Sequence, residues 1–112
     1  MATIRSYTTI EQSRKLAEIL PLESADMSWV SNGLGKPFAR TIPIKGDPEE
    51  LCGCWSLSAL LSVLPDYTLQ TNTDGTVFVV CDSKKPMISD AYYNPVDACY
   101  EMVIKLKELN LL

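Results

Sequence analysis

Between Glu50 and Asp66 the chain carries no charge, and its only polar side chains in that interval are Ser56, Ser58 and Ser62. The stretch reads Leu-Cys-Gly-Cys-Trp-Ser-Leu-Ser-Ala-Leu-Leu-Ser-Val-Leu-Pro from Leu51 to Pro65. From Trp55 to Leu64 the apolar residues do not keep to one helical face. A helix that is apolar nearly all round belongs inside a core, and the run is shorter than the roughly 20 apolar residues of a membrane span. The expectation is a central buried helix that begins near Ser56, closes at Pro65 and carries the rest of the fold.

The flanks supply its partners. Thr8 with Glu11, or Thr9 with Gln12, has the spacing of a capping box, and Ile10, Ser13, Leu16, Ala17 and Leu20 form one side of an amphipathic helix stopped by Pro21. Met27 and Trp29 alternate as in a strand, glycines at Gly33 and Gly35 mark a loop, and Phe38, Arg40, Ile42 and Ile44 alternate again. Pro43 cannot donate to a ladder, which puts that second strand at a sheet edge. Asp47 and Pro48 resemble a helix start, with Gly53 forcing a short turn before the main helix. Tyr67 to Thr71 and Thr76 to Cys81, joined by Asn72-Thr73-Asp74-Gly75, form the clearest hairpin signal. The return strand is apolar on both faces and so should lie inside its sheet, with a third strand from Phe38–Ile44 or Met87–Ala91. Asn94 and Pro95 start the last helix, whose stripe runs through Val96, Cys99, Val103 and Leu106, with Glu101 and Lys105 paired on its polar side.

Together these elements specify an α+β fold: one domain over residues 1–112, with three helices on one face of a small, mostly antiparallel sheet, in the order α-β-β-α-β-β-α. The formal charge of −4, from 10 Lys and Arg against 14 Asp and Glu, argues against a nucleic-acid partner, which demands a basic face. Met1 to Ser6 lacks the apolar core of a secretory signal. The expected setting is the reducing cytoplasm, away from membranes, with the cysteines as thiols.

Histidine is absent, which excludes Ser-His-Asp and Cys-His catalysis. Ser-x-x-Lys occurs nowhere, and Gly33-Leu34-Gly35-Lys36 lacks the spacing of a phosphate loop. Glu49-Glu50 beside Asp47-Pro48 reads as first-turn acids complementing a helix dipole. Asp66, Asp74, Asp82 and Asp90 recur every eight residues as turn punctuation. Cys52-Gly53-Cys54 leaves one residue between the thiols, too few for the usual zinc spacing, and Cys81 and Cys99 stand alone in sequence. Buried thiols acting as small hydrophobes account for all four. No catalytic residue, cofactor, metal or small-molecule ligand is expected. Trp55 belongs to the core. Trp29 and the Tyr92-Tyr93 pair sit in strand-edge or loop contexts where aromatic residues anchor protein interfaces, and they form the candidate interaction surface. Ser58 and Ser62 make a small-residue face that allows close approach of another helix.

Three segments carry a resemblance: Glu23-Ser24-Ala25-Asp26-Met27, Cys54-Trp55-Ser56-Leu57-Ser58-Ala59-Leu60-Leu61 and Asn94-Pro95-Val96-Asp97-Ala98-Cys99-Tyr100-Glu101-Met102. In these the chain resembles small uncharacterised proteins encoded by prophages and other mobile elements of gut bacteria. The resemblance implies a cytosolic accessory protein and no established activity, so it transfers no catalytic residues. The resulting expectation is a non-catalytic protein–protein interaction or self-associating protein. Its alternatives are a small thiol-based redox enzyme or metal site at Cys52 and Cys54, and an acidic inhibitor of a host nucleic-acid-binding protein.

Overall fold

Two hydroxyl residues in succession decide how the chain enters its fold. Thr9 caps helix α1 (Ile10–Ile19): its Oγ1 accepts the Gln12 N–H at 3.1 Å, and Gln12 Oε1 accepts the Thr9 N–H at 3.0 Å. This is the second of the two capping boxes the sequence offers, and it leaves Thr8 turned inward and fully buried. In the computed structural model, which describes residues 6–31, 37–40, 50–82 and 86–111, a single 3₁₀ turn (Leu22–Ser24) follows α1. Next come strands β1 (Met27–Val30), β2 (Phe38–Arg40) and β3 (Glu50–Cys54), then helix α2 (Leu57–Val63). The hairpin β4 (Tyr67–Thr71) and β5 (Val77–Cys81), the short β6 (Met87–Ile88) and helix α3 (Pro95–Glu108) complete the chain.

The α+β class, the three helices and the antiparallel pairing agree with the expectation, but the strands divide into two three-stranded sheets, ordered β2-β1-β3 and β4-β5-β6. The division follows from β3, which the sequence disguised. Asp47 to Glu49 lie outside the described residues, and from Glu50 onward the chain is a strand where a helical turn was expected. β3 pairs antiparallel with β1, Ser28 opposite Gly53 and Met27 opposite Cys54. Gly53 therefore sits buried in a ladder, and tertiary pairing overrides the local helix-start signal. β2 is an edge strand as Pro43 implied; residues 41–49 and the glycine loop at 32–36 are outside the described set. The third strand beside β5 is the Met87 segment, and β5 is the interior strand of its sheet.

Helix α2 starts where expected: Ser56 Oγ accepts the Ala59 N–H at 3.1 Å. Its burial is one-sided, however. Ala59 and Leu60 are buried and Leu64 follows them into the core, while Ser58 and Ser62 face solvent. The more deeply embedded helix is α3, which buries Val96, Ala98, Cys99, Met102, Val103 and Leu106. Asn94 Oδ1 caps it through the Val96 N–H at 3.0 Å, Pro95 fills the first turn, and Lys105 Nζ lies 3.4 Å from Glu101. Its end is closed by a Schellman motif. Leu111 N–H donates to Leu106 C=O at 2.8 Å and Asn110 N–H to Lys107 C=O at 3.1 Å, with Asn110 in the left-handed region at φ 56°. The hairpin turn uses Gly75 at φ 90°, and Asp74 Oδ1 accepts the Thr76 N–H at 2.9 Å, as turn punctuation requires.

Leu60 is wholly buried between α2 and the α3 core. Leu60→Ala is expected to lower stability by about 2–5 kcal/mol, through lost burial and the cavity left behind. Urea unfolding followed by circular dichroism measures this loss as a drop in midpoint at unchanged slope.

Candidate interaction surface

Among the described residues strand β5 alternates two apolar sets, one sealed beneath α3 and the other only half-buried. Val79 and Cys81 are fully buried beneath α3, with Val77 packed at the margin. Phe78 and Val80 point to the opposite face and are half-buried. Cross-strand register adds Thr68 and Ile88 beside Val80, and Gln70 beside Phe78. Ile88 is 61% exposed. The outer face of the second sheet thus presents Phe78, Val80 and Ile88, with Thr68 and Gln70 as a polar margin. All five residues of β4 are exposed, including Tyr67 and Leu69.

Of the aromatic residues singled out in the sequence, Trp29 is tied into the interior. Its Nε1 donates to Ser13 Oγ at 3.0 Å and to Thr8 C=O at 3.3 Å, and its ring meets Tyr7 edge-on at 5.9 Å. Tyr92 belongs to the second sheet, exchanging backbone hydrogen bonds with Val77 at 2.7 and 2.9 Å. Burial pushes its phenol up, and the carboxylates of Glu101, Asp90 and Asp97 push it further. Tyr93 stands 70% exposed. Trp29 is anchored to the first sheet and Tyr92 to the second, so local packing accounts for Trp29 while Tyr93 is presented to solvent. Phe78, Val80 and Ile88 were not singled out in the sequence. The available signal was the doubly apolar β5 with only one remaining helix able to cover it.

The hydroxyl and thiol groups near Cys54 form a closed knot. Thr8 Oγ1 and Ser13 Oγ are 2.7 Å apart, Thr8 Oγ1 accepts the Trp55 N–H at 3.2 Å, and Cys54 Sγ lies 3.8 Å from the same oxygen. Trp55 Nε1 donates to Ser24 Oγ at 2.9 Å. Asp26 accepts the Ser56 N–H at 3.0 Å and the Ser56 hydroxyl, fixing the start of α2. Cys54 is buried, and burial pushes its thiol up. Cys52 is half-buried on the same side of β3. Cys81 and Cys99 meet across the β5–α3 contact. Burial raises both, and Cys99 is pushed up to about 12, burial first and Cys81 second. All four cysteines are thiols rather than disulfides. A thiol held above its ordinary range is a poor nucleophile at neutral pH. Among the described residues no group of three or more Cys, Asp or Glu is placed to hold a metal ion.

Two surface clefts lie among the described residues, beside a smaller one of about 110 Å³ lined by Lys15, Ile19, Ile104, Lys107 and Glu108. One, of about 470 Å³, runs between Glu23–Asp26 and the Ser58, Ala59 and Ser62 face of α2. Three of its polar side chains are engaged internally: Ser24 with Pro21 C=O and Trp55, Asp26 with Ser56, and Ser62 with Ser58 C=O. The other, of about 390 Å³, is walled by Tyr92, Tyr100 and Ile104 with Asp97 and Glu101. Here too the carboxylates are occupied, Asp97 by Gln12 Nε2 at 2.8 Å and Glu101 by the Asp90 N–H at 2.8 Å and by Lys105. Among the described residues no helix is long and apolar enough to cross a membrane.

No protein-family model, no curated protein and no solved structure matches the chain.

Thr8→Val removes the oxygen that accepts the buried Trp55 N–H, so unfolding free energy should fall by about 1–3 kcal/mol, whereas Thr8→Ser retains the acceptor and loses less. Equilibrium urea unfolding of the two variants distinguishes the missing hydrogen bond from the missing methyl. The raised thiols and phenols set a pH dependence of definite sign. Each ionises more readily in the unfolded chain, so their contribution is complete below the ordinary thiol value of 9.0 and is lost as pH rises toward about 12, where Cys99 ionises in the fold. The urea midpoint should therefore decline across that window, and Cys99→Ala should flatten the decline.

Proposed function

We propose that this chain is a non-catalytic protein–protein interaction protein that works in the cytoplasm, and that it binds its partner through the outer face of the β4-β5-β6 sheet. The observation that carries this reading is the apolar set Phe78, Val80 and Ile88 on a sheet face opposite to the one α3 covers, with Ile88 61% exposed. Apolar groups gathered on one face, half-buried at Phe78 and Val80 and exposed at Ile88, with polar residues at the margin, have the anatomy of a binding surface. Tyr93, 70% exposed a few residues beyond β6, supplies a large amphipathic ring of the kind that anchors such contacts. The net charge of −4 favours a protein over nucleic acid. The thiol-enzyme alternative draws no support from Cys54, whose burial disfavours the thiolate. The resemblance to prophage-encoded proteins supports an accessory role in a bacterial cytosol, where free thiols persist.

The test is a photo-crosslinking residue, p-benzoylphenylalanine, placed at position 88 and, as a control, at exposed Glu18 on α1, each expressed in living bacterial cells. A discrete protein adduct is expected from position 88 and none from position 18. A Cys52→Ser background should leave the adduct unchanged, because binding does not involve the thiol. Absence of any adduct from position 88, or equal adducts from both positions, overturns the assignment of this face.

A further inference from the structure

The geometry points to a second copy of this chain as the occupant of the free edge of β4, joined in an antiparallel, two-fold pairing centred on Leu69. This goes beyond the sheet-face reading, because it names the partner and uses the edge of the sheet.

The ladder between β4 and β5 fixes which backbone groups are spare. Asp82 N–H donates to Asp66 C=O at 2.8 Å and Asn72 N–H to Thr76 C=O at 2.7 Å. With Thr68 opposite Val80 and Gln70 opposite Phe78, the even-numbered residues of β4 exchange the hydrogen bonds with β5. The N–H and C=O groups of Tyr67, Leu69 and Thr71 therefore point away from the sheet. All five residues of the strand are exposed. β4 also lacks the devices that shield natural edges: it has no charge, no proline and no bulge. Of the other edge strands among the described residues, β3 (Glu50–Cys54) is as long but carries Glu50 and packs against α1, and the described parts of β2 (Phe38–Arg40) and β6 (Met87–Ile88) are shorter.

The strand is self-complementary about Leu69. Antiparallel pairing with its own copy sets Leu69 opposite Leu69, Tyr67 opposite Thr71 and Thr68 opposite Gln70. The residues brought into register are those with outward backbone groups, giving about six backbone hydrogen bonds across the axis. Tyr67 against Thr71 is an aromatic and β-branched cross-strand pair, among the favourable kinds. At the ends Asp66 meets Asn72, so no like charges oppose each other. In a chain of net charge −4 an uncharged edge is where a second copy approaches at least electrostatic cost. The result is one continuous six-stranded sheet whose outer faces, each with Phe78, Val80 and Ile88, lie side by side.

Sedimentation equilibrium of the full chain tests this pairing, with Leu69→Lys and Leu69→Glu measured alone and mixed. The wild type is expected to dimerise reversibly. Each charged variant places like charges directly opposite and should weaken the dimer by about tenfold or more. An equimolar mixture of the two should recover a heterodimer. Independently of any variant, amide exchange of Tyr67, Leu69 and Thr71 should slow as concentration rises. A wild type that stays monomeric up to about 1 mM, a dimer indifferent to charge at position 69, or concentration-independent exchange at those three amides would each overturn the pairing. None of these results bears on crosslinking from position 88, so the two readings fail separately.

Discussion

The burial of one stripe on α3 holds the molecule together. Val96, Cys99, Val103 and Leu106, with Ala98 and Met102 beside them, are removed from water completely. The stripe meets α2, β5 and α1, so the second sheet and all the helices share a single apolar seam. The first sheet joins through α1 and β3, with Thr8, Ser13 and Trp55 stitched at the contact. Hydrophobic area supplies most of the stabilisation at the α3 seam. The hydroxyl knot decides which way the amino-terminal segment threads, since an unpaired Trp55 amide in that position carries the full desolvation penalty. The two ends of the molecule are thus secured by different physics.

Much of this was legible in local sequence chemistry. Caps at Thr9, Ser56 and Asn94, stops at Pro21 and Pro65, and the Asn72–Gly75 turn mark elements whose determinants lie within a few residues. What escaped reading depends on distant partners. Glu50 to Cys54 carries no strong strand propensity, and only pairing with β1 makes it a strand. That pairing splits the strands into two sheets. The uncharged run likewise overstated the burial of α2, because the serines at 58 and 62 sit where no neighbour covers them. Trp29 looked like a free anchor, but its indole N–H had partners at Ser13 and Thr8, far away in sequence. The apolar set Phe78, Val80 and Ile88 was missed for a related reason: apolarity on both faces of β5 shows that the strand is interior to its sheet, and does not show which face has a helix to cover it.

Among the described residues, two sheets of three strands and three helices make a thin molecule. Its Cα atoms extend 43 × 36 × 18 Å, and the short dimension accommodates one layer of helix and one of sheet. Two-layer folds cover one face of each sheet, so any apolar residue on the other face remains in water unless a third layer is supplied from outside. In the second sheet α3 is the covering layer, and Phe78, Val80 and Ile88 are left on the far side. This exposure follows from how few elements the described residues form.

The same shortage bears on where association is permitted. The exposed ends of the elements carry Asp66, Asp74, Asp82 and Asp90, and a carboxylate facing its copy opposes contact. The intervals Tyr67 to Thr73 and Gly75 to Cys81 have no charge at all, and of the strands they form β4 lies at the sheet edge while β5 is interior. Among the described edges β4 is neutral and hydrogen-bond-competent, so an acidic copy would meet the least repulsion there. Carboxylates at the turns and an uncharged strand between them therefore act in the same direction, narrowing the generic tendency of sheet edges to pair toward the register proposed above.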